Sequence, residues 1–248
     1  MSPFDLAQSL IEQCRRGAGT DLAAVLQRTL EALGFRYFAC CSHVDPLRPP
    51  PGAVMLHTYP RAWARTFHDR GLYDIDPVFR YANGTLLPFF WDDTVMRDEL
   101  TATQRGFLEE ANRLGIAHGY TVPIHTPYAM RAFRASCSVV PDSRAVAASS
   151  YDAVQLLACF VYEAASRAAQ AAGGAPVRRL SPRERQCLEL AAQGKSDWET
   201  SVILGLSEST VHCHIERAKR RLGVATRVQA ILHALHSGQI RFGDVIRP

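Results

Sequence analysis

The chain has 248 residues, 47% of them apolar, and 28 Lys and Arg against 24 Asp and Glu give a formal charge of +4. That length is enough for two domains with real cores. No apolar run approaches the 18 residues of a membrane span, no basic-then-apolar secretion signal opens the chain, and seven cysteines without paired spacing suit reduced thiols in a cytoplasmic protein.

In chain order, helices are predicted at 5–14 and 21–33, the second stopped by Gly34. Strands follow at 35–42 and 53–58 with a Pro-rich loop at 46–52 between them. A helix at 59–70 ends at Gly71, and another at 101–114 opens on a Thr101/Gln104 capping box and closes at Gly115. Strands at 119–125 and 132–140 flank a turn at 126–128. The Ala-rich stretch 143–169 is helical, with Val154, Leu157, Phe160 and Val161 as its apolar stripe. Strand pairs joined by hairpins and flanked by helices imply an α+β fold, an α-β-α sandwich around an antiparallel sheet, over residues 1–170. Residues 171–177, rich in Ala and Gly, form the linker.

The tail, 178–248, is all-α. Ser181/Glu184 and Ser196/Glu199 are capping boxes, Pro182 suits a first helical position, and Gly194 and Gly205 close two helices. Ser207 caps a third helix, in which Val211, Ile215, Ala218 and Leu222 share a face and Ser209, Cys213, Glu216, Arg217 and Arg220 point away. A short helix, a tight turn and a polar-faced second helix make a helix-turn-helix, to be weighed against a solvated helical hairpin. Charge favours DNA: residues 177–248 carry 12 Lys and Arg against 7 Asp and Glu, so all the positive excess sits in the tail. Consecutive residues on a helix point in different directions, which argues against a zinc site at His212-Cys213-His214.

The tail resembles the LuxR-type, or GerE-like, DNA-binding domain. The run that carries the resemblance is Leu180-Ser181-Pro182-Arg183-Glu184, Gly194-Lys195, Ile203-Leu204, Leu206-Ser207, Thr210-Val211, His214-Ile215, Leu222-Gly223 and Gln229-Ala230. The resemblance implies a four-helix domain, with a fourth helix at 226–236 that often takes part in dimerisation. Thr200-Ser201 departs from the family's aliphatic–small pair. The expected DNA-contact residues are Lys195, Ser209, Thr210, His212, Cys213, Glu216, Arg217 and Arg220; Glu216 accepts from a cytosine amino group or lies off the interface.

A phospho-receiver needs a Lys beside its phosphoacceptor Asp, and no Lys precedes Lys195. The first domain instead offers Tyr59, Trp63 and Phe67 at i, i+4 and i+8, and Asp76 in an apolar Ile-Asp-Pro-Val segment. Plain readings exist: an aromatic core stripe, and an aspartate capping a turn in water. Facing an aromatic pocket, Asp76 needs donors, since an unpaired buried group costs roughly 1–3 kcal/mol. Residues 1–170 resemble the autoinducer-binding domain of the LuxR family through Tyr-Pro-x-x-Trp, Asp-Pro and Pro-x-x-Trp, with Gly115, Gly119 and Thr121-Val122-Pro123. The resemblance implies an N-acyl-homoserine lactone, or an aryl analogue, as effector between sheet and helices, with no other cofactor or metal. Trp63 then donates to the lactone carbonyl, Asp76 accepts from the ligand amide, Tyr59 donates to the amide carbonyl, Trp91 covers the lactone ring, and Phe67, Phe107 and Leu114 form apolar walls. The family has a Ser or Thr on the last strand. Ser136 and Ser138 share a face here, and Ser136 is the expected donor; Arg134 lies on that face, and if it points inward it asks for a partner or a polar acyl group.

The expected function is a quorum-sensing transcriptional regulator, not an enzyme. It binds the lactone, dimerises through the 143–169 helix, and meets promoter DNA as a homodimer that works with RNA polymerase. A lactone hydrolase or acyltransferase would need a nucleophile–base pair; His57, His68, His118 and His125 are scattered and no GxSxG occurs. The alternative is a DNA-binding regulator whose first domain is a ligand-independent dimerisation platform.

Overall fold

The computed structural model describes residues 1–16, 21–46, 48–125, 133–143, 145–172 and 179–245. They fall into two compact units, the first ending at 172 and the second beginning at 179. The turn expected at 126–128 and linker positions 173–177 lie outside the described residues.

In the first unit, α1 (Pro3–Arg16) and α2 (Leu22–Ala32) precede β1 (Phe35–Ser42) and β2 (Met55–His57). Asp21 caps α2 by accepting from the Ala24 amide, worth about 1 kcal/mol. Then come α3 (Arg61–Asp69), α4 (Pro77–Gly84), β3 (Phe89–Phe90), α5 (Thr94–Asp98), α6 (Ala102–Arg113), β4 (Tyr120–Ile124), β5 (Ala135–Pro141) and α7 (Ala148–Ala172). The strands form one sheet in the order β2-β1-β5-β4-β3, and every pair is antiparallel.

Alternation divides the sheet between two cores. Phe38, Cys40, Cys137 and Val139 face α1, α2 and α7, whose Leu10, Leu30, Val154, Leu157 and Val161 complete a predominantly apolar layer. On the other face, Trp63, Val78, Met96 and Phe107 from α3 to α6, with Ile116 just beyond α6, pack around Val140 and Trp91. The α-β-α sandwich expected from sequence is the observed one. Its second helical layer is richer than expected, because α4 and α5 are too short to show a period of their own. The helix expected from Tyr59 begins at Arg61, since Pro60 takes the N-cap position.

The second unit consists of α8 (Pro182–Ala192), α9 (Asp197–Leu204), α10 (Glu208–Leu222), α11 (Arg227–His236) and a short α12 (Phe242–Val245). Capping boxes at Ser181/Glu184, Ser196/Glu199 and Thr226/Gln229 open three of them. Gly205, in the left-handed conformation (φ 64°), closes α9 and turns the chain into α10, a geometry a side chain would strain. Leu188, Val211, Ile215, Ala218, Ala230 and Ala234 make its core. Thr200 is buried there with an Oγ1 that has no partner among the described residues. Thr200→Val keeps the shape and removes the orphan, so equilibrium urea unfolding should show a gain of about 1–2 kcal/mol.

Candidate functional site

A cavity of about 410 Å³ lies between the sheet and the α3–α6 layer. Strand register sets its floor. His57, Ala39, Ser138 and Thr121 form one cross-strand row, and Met55, Cys41, Ser136 and Pro123 the next. Ala39, Cys41, Met55, His57 and Ser138 line the cavity from the sheet; Tyr59, Trp63, Phe67, Asp76, Trp91 and Phe107 line it from the opposite layer and its loops.

Asp76 combines the two roles that the sequence set against each other. It is the N-cap of α4, where Oδ1 accepts from the Val78 and Phe79 amides at 2.8 and 3.3 Å. It is also only 8% exposed and borders the cavity. Its other oxygen has no partner among the described residues. Burial pushes its pKa up to about 7 against the pull of those two amides. Burial and the nearby Asp76 charge also hold the Tyr59 phenol well above its ordinary range.

Trp63 is 4% exposed, sits edge-on to Phe107 with centroids 5.1 Å apart, and lies 6.2 Å from Phe67. Its indole N–H, a donor only, has no partner among the described residues. Trp91 differs: its Nε1–H donates to Thr121 Oγ1 at 2.8 Å, and Thr121 lies 2.8 Å from Ser138 Oγ. Trp91 sits directly on Gly119, where a Cβ would stand 2.4 Å from two indole atoms.

Two expectations need correction, and the orientation of Arg134, which the sequence leaves open, is placed. The serine on the cavity wall is Ser138, not Ser136: Ser136 Oγ is hydrogen-bonded to His43 Nε2 at 2.8 Å, which holds it away from the cavity. Leu114 caps the end of α6 and packs in the same apolar cluster without lining the cavity. Arg134 precedes β5 and is exposed, so no inward guanidinium demands a polar ligand. The sequence reading also missed Ala39, Cys41, Val78, Phe79, Ala111 and Ile116 on the wall. Ala39 and Cys41 were within reach of it, because alternate residues of a strand share a face.

In the second unit, α10 buries Val211, Ile215 and Ala218 and exposes Ser209, His212, Cys213, Arg217 and Arg220. Ser209 and Thr210 hydroxyls bond to the N-cap Ser207 Oγ at 2.9 and 2.7 Å. Lys219 pairs with Glu216 at 2.7 Å, which neutralises an otherwise phosphate-repelling carboxylate and holds it below its ordinary pKa. Lys195 lies 3.8 Å from Glu199, and His212 lies 3.5 Å from Asp197. Arg217 and Arg220 have no ion-pair partner among the described residues. Those residues contain no group of three or more His, Cys, Asp or Glu able to hold a metal, and no helix long and apolar enough to cross a membrane.

Comparison with known proteins matches residues 19–165 to the autoinducer binding domain and residues 178–234 to the bacterial regulatory proteins of the luxR family. The chain is 30% identical over 223 residues to the transcriptional activator protein VanR of Vibrio anguillarum, covering 89% of this chain and 91% of VanR. It is 33% identical over 194 residues to RpaR of Rhodopseudomonas palustris, an HTH-type quorum sensing-dependent transcriptional regulator, covering 77% and 76%. Among solved structures, SdiA in complex with octanoyl-rac-glycerol superposes with a TM-score of 0.74 at 22% identity, covering 94% of this chain and 95% of that one, a likeness of fold.

Proposed function

Since the chain belongs to the luxR family of bacterial regulatory proteins, as a quorum-sensing transcriptional regulator with an autoinducer-binding domain ahead of its DNA-binding helices, we propose that its effector is an acyl- or aryl-homoserine lactone held in the Asp76–Trp63 cavity. The observation that carries this reading is a buried carboxylate with one uncommitted oxygen bordering the same cavity as an uncommitted indole N–H. An acceptor and a donor on one apolar wall match an amide N–H and a lactone carbonyl. Tyr59 donates to the amide carbonyl beside Ser138, Trp91 covers the ring, and Phe67 and Phe107 exclude water.

The ligand stabilises the folded form by mass action, roughly 2.7 kcal/mol at a hundred times its dissociation constant. The loaded chain works as a homodimer. Its contact is the outward face of α7, where Leu156 is 47% exposed, and its two recognition helices α10 meet half-sites about 34 Å apart, from which it acts on RNA polymerase. His212, Cys213, Glu216, Arg217 and Arg220 face the duplex, with Ser209, Thr210 and Lys195 at the edge.

Thermal unfolding of the full chain with a panel of acyl- and aryl-homoserine lactones tests this. A midpoint that rises with concentration for at least one member is expected. No shift with any member leaves the ligand-independent platform, and consumption of the lactone would mark an enzyme. Trp63→Phe keeps the ring and drops the N–H, so affinity should fall about five- to tenfold; unchanged affinity contradicts the assignment. For the second unit, Arg217→Ala should lower the slope of log affinity against log salt by about 1 on any duplex, measured by fluorescence anisotropy.

A further inference from the structure

Ser136 and Ser138 stand two residues apart on one face of β5, yet neighbouring strands set their hydroxyl hydrogens differently. Each hydroxyl has one hydrogen to give, so the network can be followed donor by donor. The Trp91 indole only donates, and its acceptor is Thr121 Oγ1 at 2.8 Å. Thr121 is fully buried, and among the described residues the only side-chain partner left to take its own hydrogen is Ser138 Oγ at 2.8 Å, so the geometry favours Thr121 as the donor of that pair. Ser138 thus receives a hydrogen from behind, and its own is left for the cavity that it lines.

The other serine is wired in reverse. Asn83 Oδ1 only accepts, so the His43 Nδ1 at 2.9 Å from it carries the ring hydrogen. The desolvated His43 ring is neutral, its pKa lowered to about 4. Its Nε2 is therefore an acceptor and takes the Ser136 hydrogen at 2.8 Å. Stacking on Phe79, with ring centroids 4.2 Å apart, holds that imidazole in place.

We propose that Thr121 is a positioning residue for ligand recognition: the Trp91–Thr121 relay fixes Ser138 as a one-way donor and so selects ligands presenting a strong acceptor, such as an amide carbonyl oxygen, at that point. The proposal rests on the lactone reading and adds to it a group that has no need to touch the ligand. A ligand offering a donor there meets the Ser138 hydrogen, and turning that hydrogen away breaks the relay.

The test compares N-octanoyl-homoserine lactone with its thioamide, which keeps the N–H but has sulfur, a weak acceptor, in place of the carbonyl oxygen. Dissociation constants are measured on the full chain, and the readout is their ratio. In the wild type the thioamide should bind about five- to tenfold more weakly. Thr121→Val keeps the shape but removes the hydrogen that turns Ser138 toward the cavity, so the Ser138 hydroxyl is free to rotate and the ratio should fall by about twofold or more from the wild-type value. Thr121→Ser should restore it, and Ser136→Ala should leave it at the wild-type value. A Thr121→Val protein that discriminates like the wild type, or a Ser136→Ala protein that does not discriminate, overturns the relay. Should Thr121→Val fail to fold, Trp91→Phe removes the first donor, frees the Thr121–Ser138 bond to run either way and should lower the ratio in the same direction; an intact ratio there also overturns it. Failure of the wild type to bind either probe, or any lactone of the panel, removes the lactone reading and the relay with it.

Discussion

Asp76→Asn should make the unliganded chain more stable and at the same time deaf to its ligand. The asparagine carbonyl replaces Oδ1 as acceptor for the Val78 and Phe79 amides, so the cap on α4 survives. What disappears is a carboxylate whose charged form is penalised by burial, with a pKa raised to about 7. A raised carboxylate pKa means that the folded chain binds more protons than the unfolded one between the ordinary value, near 4, and 7. Stability contributed by this group is therefore greatest at low pH, is lost as pH climbs through that window, and stays lost above about 7. Removing the charge should return on the order of 2–4 kcal/mol at pH 8 and little at pH 4, read from urea midpoints at the two pH values. The ligand senses the opposite sign. The amide N–H of the proposed lactone needs the ionised oxygen, whereas the asparagine offers an NH₂ that meets donor with donor. Wild-type affinity should weaken up to tenfold per pH unit below about 7, and the variant should lose a hundredfold or more and show no such pH dependence. A variant that still binds lactone, or an affinity flat between pH 6 and 8, removes Asp76 from the site.

Gly119→Ala should be the most damaging single methyl group in the cavity. The added Cβ would stand 2.4 Å from the Trp91 indole, a ring buried against the sheet and tied through its N–H to Thr121. Neither can give a few tenths of an ångström, so the indole must swing into the cavity, breaking the Thr121 bond as it goes. Overpacking of this kind costs about 1–3 kcal/mol. The larger effect is on the ligand, whose space the ring now occupies. Lactone-induced thermal stabilisation should vanish while DNA-binding helices α8–α11 keep their own melting signature. Full ligand response in this variant would mean that Trp91 is not part of the wall.

Signals confined to one turn of chain were legible in advance. The Thr101/Gln104, Ser181/Glu184 and Ser196/Glu199 boxes act within four residues, and all three open the helices expected of them. The antiparallel sheet followed from β1, β4 and β5, whose apolar runs are bounded by turns. Helices α4 and α5 were hidden because eight and five residues span too few turns to show a period. From sequence, Asp76 reads either as a cap in water or as a buried acceptor; it is both, because the cap sits at the cavity edge. The preference for Ser136 over Ser138 failed for a non-local reason. Both lie on the same face, and His43 and Thr121, 93 and 17 residues away, decide which faces the ligand.

One carboxylate both starts α4 and borders the cavity, so it is barred from drifting as ligands diversify. Change at Asp76 to a side chain without an acceptor loses the helix cap, and any side chain at Gly119 collides with Trp91. Evolutionary retuning of ligand preference is thereby channelled to wall positions such as Ala39, Val44 and Met55, whose side chains carry no hydrogen-bonding duty. Lineages of such receptors should accumulate their differences along the β1–β2 side and leave the polar end untouched.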